Sequence, residues 1–480
     1  MPFLRKVGQL TISIGQRQCR RYNSTKKYAD IAKDVYDVVI VGGGVSGLTL
    51  AAALKPMNLK VALVEGMSLA STGSWDPSFD VYSNRVSSIT PASKKYLEQI
   101  GVWNHIDEMR VEEYEDMRVW DGVSGARIHF DAFDLSSDGT GGAMAYMVEN
   151  LNLQHALLQH LSEPADVPVT ILDNTKVSEI KTGEELDDVD LSKWPTLTLT
   201  SGDSLTARLL VGADGVNSPV RAYAGIDSTG WDYNQHGVVA SLKLEWDDRQ
   251  RIAWQRFLPT GPIALLPLPD GNASLVWSTT PEHAAHLKSL TPKAVCTLVN
   301  AAFRLGMVDL KYLMRLTDED EIKREFEWRD ELLPVEAEGS AFPVRIVELA
   351  EKSLASFPLR MRHCDTYVGP RIALVGDAAH TTHPLAGQGL NLGQGDVACL
   401  ARVLEQAIAG GADIGEEFVL QKYWAERYPV NHVMLGVIDK IQKIYCTDCT
   451  PVVKLRSFGL EIVQNLDVVK RMIMKQATGI

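Results

Sequence analysis

Val38-Val39-Ile40-Val41-Gly42-Gly43-Gly44-Val45-Ser46-Gly47-Leu48-Thr49-Leu50-Ala51-Ala52-Ala53-Leu54 decides the fold of this chain. Four apolar, β-branched residues run straight into glycines, and small, helix-favouring residues follow. That order reads as a buried parallel strand, a tight turn and a helix packed on the sheet. Gly42, Gly44 and Gly47 satisfy G-x-G-x-x-G in this context, so the backbone can approach a pyrophosphate whose charge rests on the helix's N-terminal amides. Lys60 to Glu65 reads as the next parallel strand. Glu65, 23 residues beyond Gly42, stands where an acid hydrogen-bonds a ribose hydroxyl. A carboxylate there disfavours a 2′-phosphate. The unit is α/β and Rossmann-type, and alone it leaves NAD and FAD equally open.

Two later segments make the choice. Leu209-Leu210-Val211-Gly212-Ala213-Asp214-Gly215 is a second apolar strand ending in glycines and an acid, followed by Ser218 and Arg221. Ile372 to Val375 then runs into Gly376-Asp377-Ala378-Ala379-His380, Pro384 and Gly387-Gln388-Gly389-Leu390-Asn391. One short dinucleotide does not require three glycine-punctuated strand ends so far apart, so the cofactor reads as FAD. Gly387, Gly389 and Asn391 at a helix start would aim backbone amides and a positive dipole end at the flavin pyrimidine, where reduced flavin carries negative charge.

Between these segments the pattern changes. Met117 to Phe130, Val169 to Ile180, Thr196 to Thr200 and Val238 to Leu244 read as strands, and Leu151 to Leu161 as a helix. Ala253 to Ser278, turning at Gly261-Pro262 and Asp270-Gly271-Asn272, reads as an antiparallel sheet. The expected architecture is a Rossmann-type FAD-binding domain (35–116, 145–225 and 365–450) interleaved with an antiparallel-sheet substrate domain (117–144 and 226–364). Within the latter, 317–338 is expected to be an acidic, irregular and solvated insertion. Residues 451–480 are expected to be amphipathic helices, either covering the core or lying on a membrane.

The 480 residues, 45% of them apolar, suffice for a large core. The net charge of −13 hides an asymmetry: the first 28 residues hold seven bases and no acid, and without them 41 bases face 61 acids. An acidic body excludes general nucleic-acid binding. The basic opening, with hydroxyl residues interleaved, has the composition of a mitochondrial transit peptide. No apolar run reaches the roughly 18 residues of a bilayer-spanning helix. Six scattered cysteines read as reduced thiols; Cys446 and Cys449 form a CxxC without the second ligand pair of a zinc site. His380 and His383 form an HxxH, but Pro384 follows and no carboxylate motif matches, so no metal is expected.

Together, the three flavin-type segments resemble the group A flavin monooxygenases, whose folds resemble p-hydroxybenzoate hydroxylase. More narrowly, Gly376 to Asn391, Trp254 to Pro262, Trp424-Ala425-Glu426-Arg427-Tyr428-Pro429 and the acidic stretch after Thr317 are similar to the mitochondrial ubiquinone-biosynthesis monooxygenases. The resemblance implies that Gly42, Gly44, Gly47 and Glu65 hold the FAD pyrophosphate end, that Asp214 lies near FAD, and that Gly376 and Asp377 bind the ribityl or pyrophosphate region. Pro384, Gly387, Gly389, Leu390 and Asn391 complete that site, and Arg85 matches an arginine that touches FAD. Asn150 fits either a flavin contact or a helix N-cap.

The same resemblance implies an enzyme that adds one oxygen atom from dioxygen, through a flavin 4a-hydroperoxide, to ring carbon 5 of a polyprenylated phenol or benzoate. The electron donor would be a ferredoxin with its reductase, or NAD(P)H. The setting would be the matrix face of the mitochondrial inner membrane, with other ubiquinone-biosynthesis proteins in a membrane-associated complex. The sheet from Trp254 to Trp277 is the expected substrate wall. Arg256 either faces the ring or a carboxylate, or pairs on the surface. An FAD-dependent isoprenoid reductase and a non-catalytic prenyl-handling protein are the alternatives on the same fold.

Overall fold

The computed structural model describes residues 34–135, 142–186, 189–245, 251–333, 341–385 and 387–479. The basic opening segment lies outside the described residues, as do residues 334–338 of the acidic stretch. One sheet is built on Val35–Val41, parallel to Val61–Val64 on one side and Ser204–Gly212 on the other, with Thr170–Leu172 and Ile372–Leu374 continuing it outward, again in parallel. Val38, Val39 and Ile40 are fully buried because both faces of the sheet are covered, which is why the strand carries no polar alternation. Helix α1 (Val45–Leu54) follows the first strand and packs against α2 (Asn150–Ser162).

The second sheet has nine strands and is largely antiparallel. Ser228–Leu244, Asn272–Thr279, Gly261–Leu268 and Ile252–Leu258 run in that spatial order, and Asp116–Asp121 joins Ile252–Leu258 in parallel. The strand anticipated at Val238 begins ten residues earlier, because Ser228–Asp232 pairs with Arg360–Cys364. His380–Thr381, within the third flavin-type segment, also pairs into this sheet against Arg362 and His363. The two sheets are thus stitched where the chain turns toward the cofactor region.

Helices α3 (Pro292–Arg304) and α4 (Glu319–Asp330) cover one face of the second sheet. The latter corrects the expectation of an irregular insertion. Asp318 caps α4 by accepting from Glu321 N at 2.8 Å, and three acids in its first turn favour the positive end of the helix dipole. Ile322 and Phe326, one helical turn apart, are buried against α3, and Arg304 donates to Asp330 at 2.5 Å. A dense acidic face obscured a two-residue apolar stripe.

The chain ends in α5 (Gln388–Ala409), α6 (Glu417–Tyr445), α7 (Thr450–Asn465) and α8 (Asp467–Thr478). Arg456 staples α7 to the second sheet: its Nε and NH2 donate to the two oxygens of Asp121 at 2.9 and 2.8 Å, and its NH1 donates to the carbonyls of Ile444, Tyr445 and Thr447. A buried guanidinium with all these partners is an anchor, not one of the tail's solvent-facing charges. Lys470 pairs with Asp134 at 2.8 Å, and Met474 is buried among Tyr82, Tyr114 and Met147. Both tail helices therefore cover core on one side.

Candidate functional site

The register of the first sheet brings the three flavin-type segments together. Val64, Val41, Gly212 and Leu374 lie in one row across four neighbouring strands, so the residues that follow each of them emerge side by side at the carboxyl edge. That edge is where open α/β sheets bind ligands. A cavity of about 830 Å³ begins there and runs to the inner face of the second sheet.

Close approach explains the glycines. A Cβ on Gly47 would stand 1.9 Å from Gly42 O, and one on Gly42, whose φ is +109°, would stand 2.3 Å from Ala213 O. Gly43 is also constrained, because Glu65 lies against it: Glu65 Oε2 accepts from Gly43 N at 2.6 Å and Oε1 from Met67 N at 2.7 Å. Gly44 has open space where a side chain would point, and it is the N-cap of α1 with no side-chain cap and no acid in the first turn. The N-terminus of α5 is alike: its N-cap is Gly387, at φ +60°, again with no side-chain cap and no acid in the first turn. Two uncapped positive helix ends on one cavity fit the pyrophosphate and the anionic reduced ring of FAD.

The remaining expected site residues divide by what they touch. Gly376, Asp377, Pro384, Gly389 and Leu390 line the cavity with Gly44 and Gly387. Asp377 has no hydrogen-bond partner among the described residues; the surrounding protein raises its carboxyl above the ordinary carboxylate range, with His380 opposing the shift. Such an acid suits a sugar or ribityl hydroxyl. Arg85 is exposed and its guanidinium has no partner among the described residues, while its carbonyl accepts from Asn150 N. Asn150 lines the cavity as the first residue of α2 and accepts from Ser87 Oγ at 2.6 Å; it is not the N-cap.

Asp214 and Asn391 are turned inward. Asp214 Oδ2 accepts from Val220 N at 3.1 Å, its Oδ1 is buried without a partner, and desolvation raises its carboxyl. Asn391 Oδ1 accepts from Thr90 N, and its Nδ2 donates to the carbonyls of Ser88 and Gly387. It ties the start of α5 to Val86–Ile89.

The HxxH histidines are accounted for by protein partners. His380 Nε2 lies 2.6 Å from Asp396 Oδ2, and Asp396 also accepts from Arg427, Asn431 and Gly376 N. His383 accepts from Leu385 N at Nδ1, 3.2 Å away. Elsewhere, among the described residues, His105, His160 and Glu163 converge as metal-type ligands, but Lys55 Nζ, 3.3 Å from Glu163, already supplies the cation there.

Burial pushes both His383 and His363 down to about 4 from the ordinary 6.5. An unfolded chain protonates these rings first, so they leave stability intact above about pH 6.5 and erode it as pH falls toward 4. Lowering pH from 7 to 5 is expected to cost roughly 2 kcal/mol or more between them. Urea unfolding of wild type against His383→Gln checks this: the variant is expected to lose part of the slope.

The second sheet corrects one expectation, that for Arg256. It does wall the cavity, but with Gln255, Ala264, Leu266 and Val276. Trp254 and Trp277 point to the opposite face, under α3 and α4, and are core. Arg256, on that same side, faces neither ring nor acid: NH1 donates to Ala302 O and NH2 to Leu305 O, both at 2.8 Å, so it caps the carbonyl end of α3. Burial lowers it to about 10.

Sequence reasoning missed Gln255, a buried amide with no protein partner among the described residues that lies on the cavity wall. It also missed Tyr114, whose hydroxyl lies 3.2 Å from Ser88 Oγ and is pushed up by burial. The one local signal for Gln255 is a polar amide beside Trp254 in a strand, and that does not say which face it takes.

A family model described as an FAD binding domain matches residues 35–436. The mitochondrial ubiquinone biosynthesis monooxygenase COQ6 of Saccharomyces cerevisiae is 42% identical, covering 93% of this chain and 95% of its own. The Homo sapiens protein of the same name is 38% identical over 95% of each. Among solved structures, p-nitrophenol 4-monooxygenase from Pseudomonas putida superposes with a TM-score of 0.64 at 21% identity, covering 92% of this chain and 98% of its own. A Klebsiella pneumoniae HpxO variant complexed with FAD gives 0.63 at 16%, with the same two coverages. The structural likenesses carry the fold; the identities carry the rest, and the chain belongs to the mitochondrial ubiquinone-biosynthesis family of FAD-dependent monooxygenases.

Proposed function

We propose that this monooxygenase hydroxylates ring carbon 5 of a polyprenylated phenol or benzoate, at the matrix face of the mitochondrial inner membrane. The observation that carries the reading is the single cavity joining two uncapped helix ends to an apolar sheet face, since it offers one chamber for an anionic cofactor and a greasy ring. Gly42, Gly44, Gly47, Glu65, Arg85, Gly376 and Asp377 would hold FAD, with Pro384, Gly387, Gly389 and Leu390 forming the bed of its ring and the inward-turned Asp214 and Asn391 supporting that bed from behind. Reduced FAD supplies the activation of dioxygen. Met117, Leu266 and Val276 exclude water from that chemistry.

Gln255 orients the ring, since its amide is a polar group set among Ala264, Leu266 and Val276 on this wall and can donate to a phenol oxygen. Gln255→Leu is expected to lower kcat/KM by about tenfold, the worth of one neutral hydrogen bond to substrate, with the flavin spectrum unchanged. Steady-state hydroxylation of a prenylphenol by the purified variant measures it.

The electrons come from a ferredoxin with its reductase or from NAD(P)H, and stopped-flow reduction of bound flavin by each separates them. The overall reading predicts a yellow protein that hydroxylates a prenylphenol in air and not under argon. Turnover without dioxygen would sink it.

A further inference from the structure

α8 has a buried side and an exposed apolar one. Met474 and Thr478 face inward, and Thr478 lines the cofactor and substrate cavity. Val468 and Met472 face outward, 74% and 73% exposed. α7 continues the outer surface with Leu455 and Phe458, 72% and 61% exposed. On α6, Val430 shares the rim of a second cavity, of about 300 Å³, with Gln476 and Gly479 at the end of α8. Large apolar side chains exposed together on neighbouring helices mark an interaction site.

Charge selects its occupant. Residues 430–480 carry seven bases and four acids, Arg456 and Lys470 among the bases being buried in pairs with Asp121 and Asp134, whereas residues 29–429 carry 34 bases and 57 acids. A second copy docking through the same face would set like charges against each other, and an anionic lipid surface would not. No described helix is long and apolar enough to cross a bilayer. The combination of exposed apolar side chains with Lys454 and Lys475 on short helices is that of an interfacial contact.

We propose that the outer face of α6 to α8 docks on an anionic lipid bilayer, and that α8 is the door through which a membrane-dissolved ring reaches the cavity. This rests on the prenylated substrate proposed above. The inner side of α8 is held by Lys470, paired with Asp134, and by Met474, buried with Tyr82, Tyr114 and Met147. A helix whose inner side lines the reaction chamber and whose outer side is greasy can exchange protein contacts for lipid, uncovering the mouth where the substrate is dissolved.

Two experiments on the purified full-length holoprotein test it. Flotation with phosphatidylcholine vesicles doped with phosphatidylglycerol is expected to carry wild type upward, and to fall by about tenfold or more in L455S/F458S/M472S, whose changed side chains are all solvent-exposed. Equal flotation of the two proteins, or wild type that stays at the bottom or dimerises through this face, overturns the docking surface.

The door is tested with A92C/G479C, since a Cβ on Gly479 would lie against that of Ala92. Oxidised, the variant is expected to lose about tenfold or more of its turnover on vesicle-borne prenylphenol, regained on adding dithiothreitol, with flavin absorbance constant throughout. Undiminished turnover of the cross-linked form overturns the door. Wild type that floats yet hydroxylates no prenylphenol would count against the proposed substrate while leaving the lipid surface standing.

Discussion

Gly47→Ala is expected to give a colourless protein destabilised by about 3–5 kcal/mol, the cost of overpacking a site that cannot relax. The new methyl would stand 1.9 Å from Gly42 O. Gly42 cannot retreat, because it is held at φ +109° with Ala213 O pressed against the position of its own missing side chain. Gly44→Ala separates the two jobs of the motif. Its φ of −70° is ordinary for alanine and nothing lies within 4 Å of the added carbon. As apoprotein that variant is expected to unfold within about 1 kcal/mol of wild type, the cost of alanine at an N-cap, yet to bind FAD about tenfold or more weakly, because the methyl enters space a pyrophosphate needs. Flavin-to-protein ratios with urea midpoints distinguish the cases. A yellow, stable Gly47→Ala would mean that the turn is looser than its contacts require.

The contrast shows what kind of information a sequence carries. Val38 to Gly47 was legible because strand, turn and helix each impose a local residue choice that one stretch of chain satisfies in order. The row Val64, Val41, Gly212 and Leu374 was legible only as three similar segments; their common edge is a fact of register. Which of Trp254 and Gln255 faces the cavity was not legible, because a strand buried on both faces hides its parity: large aromatic area marks burial without saying on which side. Arg256 was ambiguous for the same reason, its partners being helix-end carbonyls 46 and 49 residues away. α4 escaped notice since three acids that stabilise its first turn also give the composition of a solvated loop. The partner of His380, Asp396, sits inside a helix that reads as apolar and small, and nothing local announces the pair.

That pair governs the second large effect: Asp396→Asn is expected to lower stability by about 3–5 kcal/mol, as breaking a buried ion pair does. The carboxylate is fully buried and collects four donors, from His380 at 2.6 Å, Arg427 and Asn431 at 2.9 Å, and Gly376 N at 3.2 Å. Asparagine keeps the shape but turns one acceptor into a donor facing other donors, and leaves the Arg427 guanidinium without its counter-charge.

The pH dependence gives an independent readout. His380 and Arg427 hold the Asp396 carboxyl at about 2, below its ordinary 3.8, even though burial alone would raise it. The native state therefore gains from this group above about pH 4 and loses that gain as pH falls toward 2. Wild type is expected to lose on the order of 2 kcal/mol across that window from this residue, and Asp396→Asn none of it.

Because Gly376 N is one of the four donors and Asp377 follows it on the cavity wall, the variant is also expected to bind FAD less tightly than its residual stability alone would imply. Flavin titration of protein kept well below its unfolding midpoint tests that coupling. Wild-type affinity together with a lowered midpoint would confine Asp396 to holding the fold.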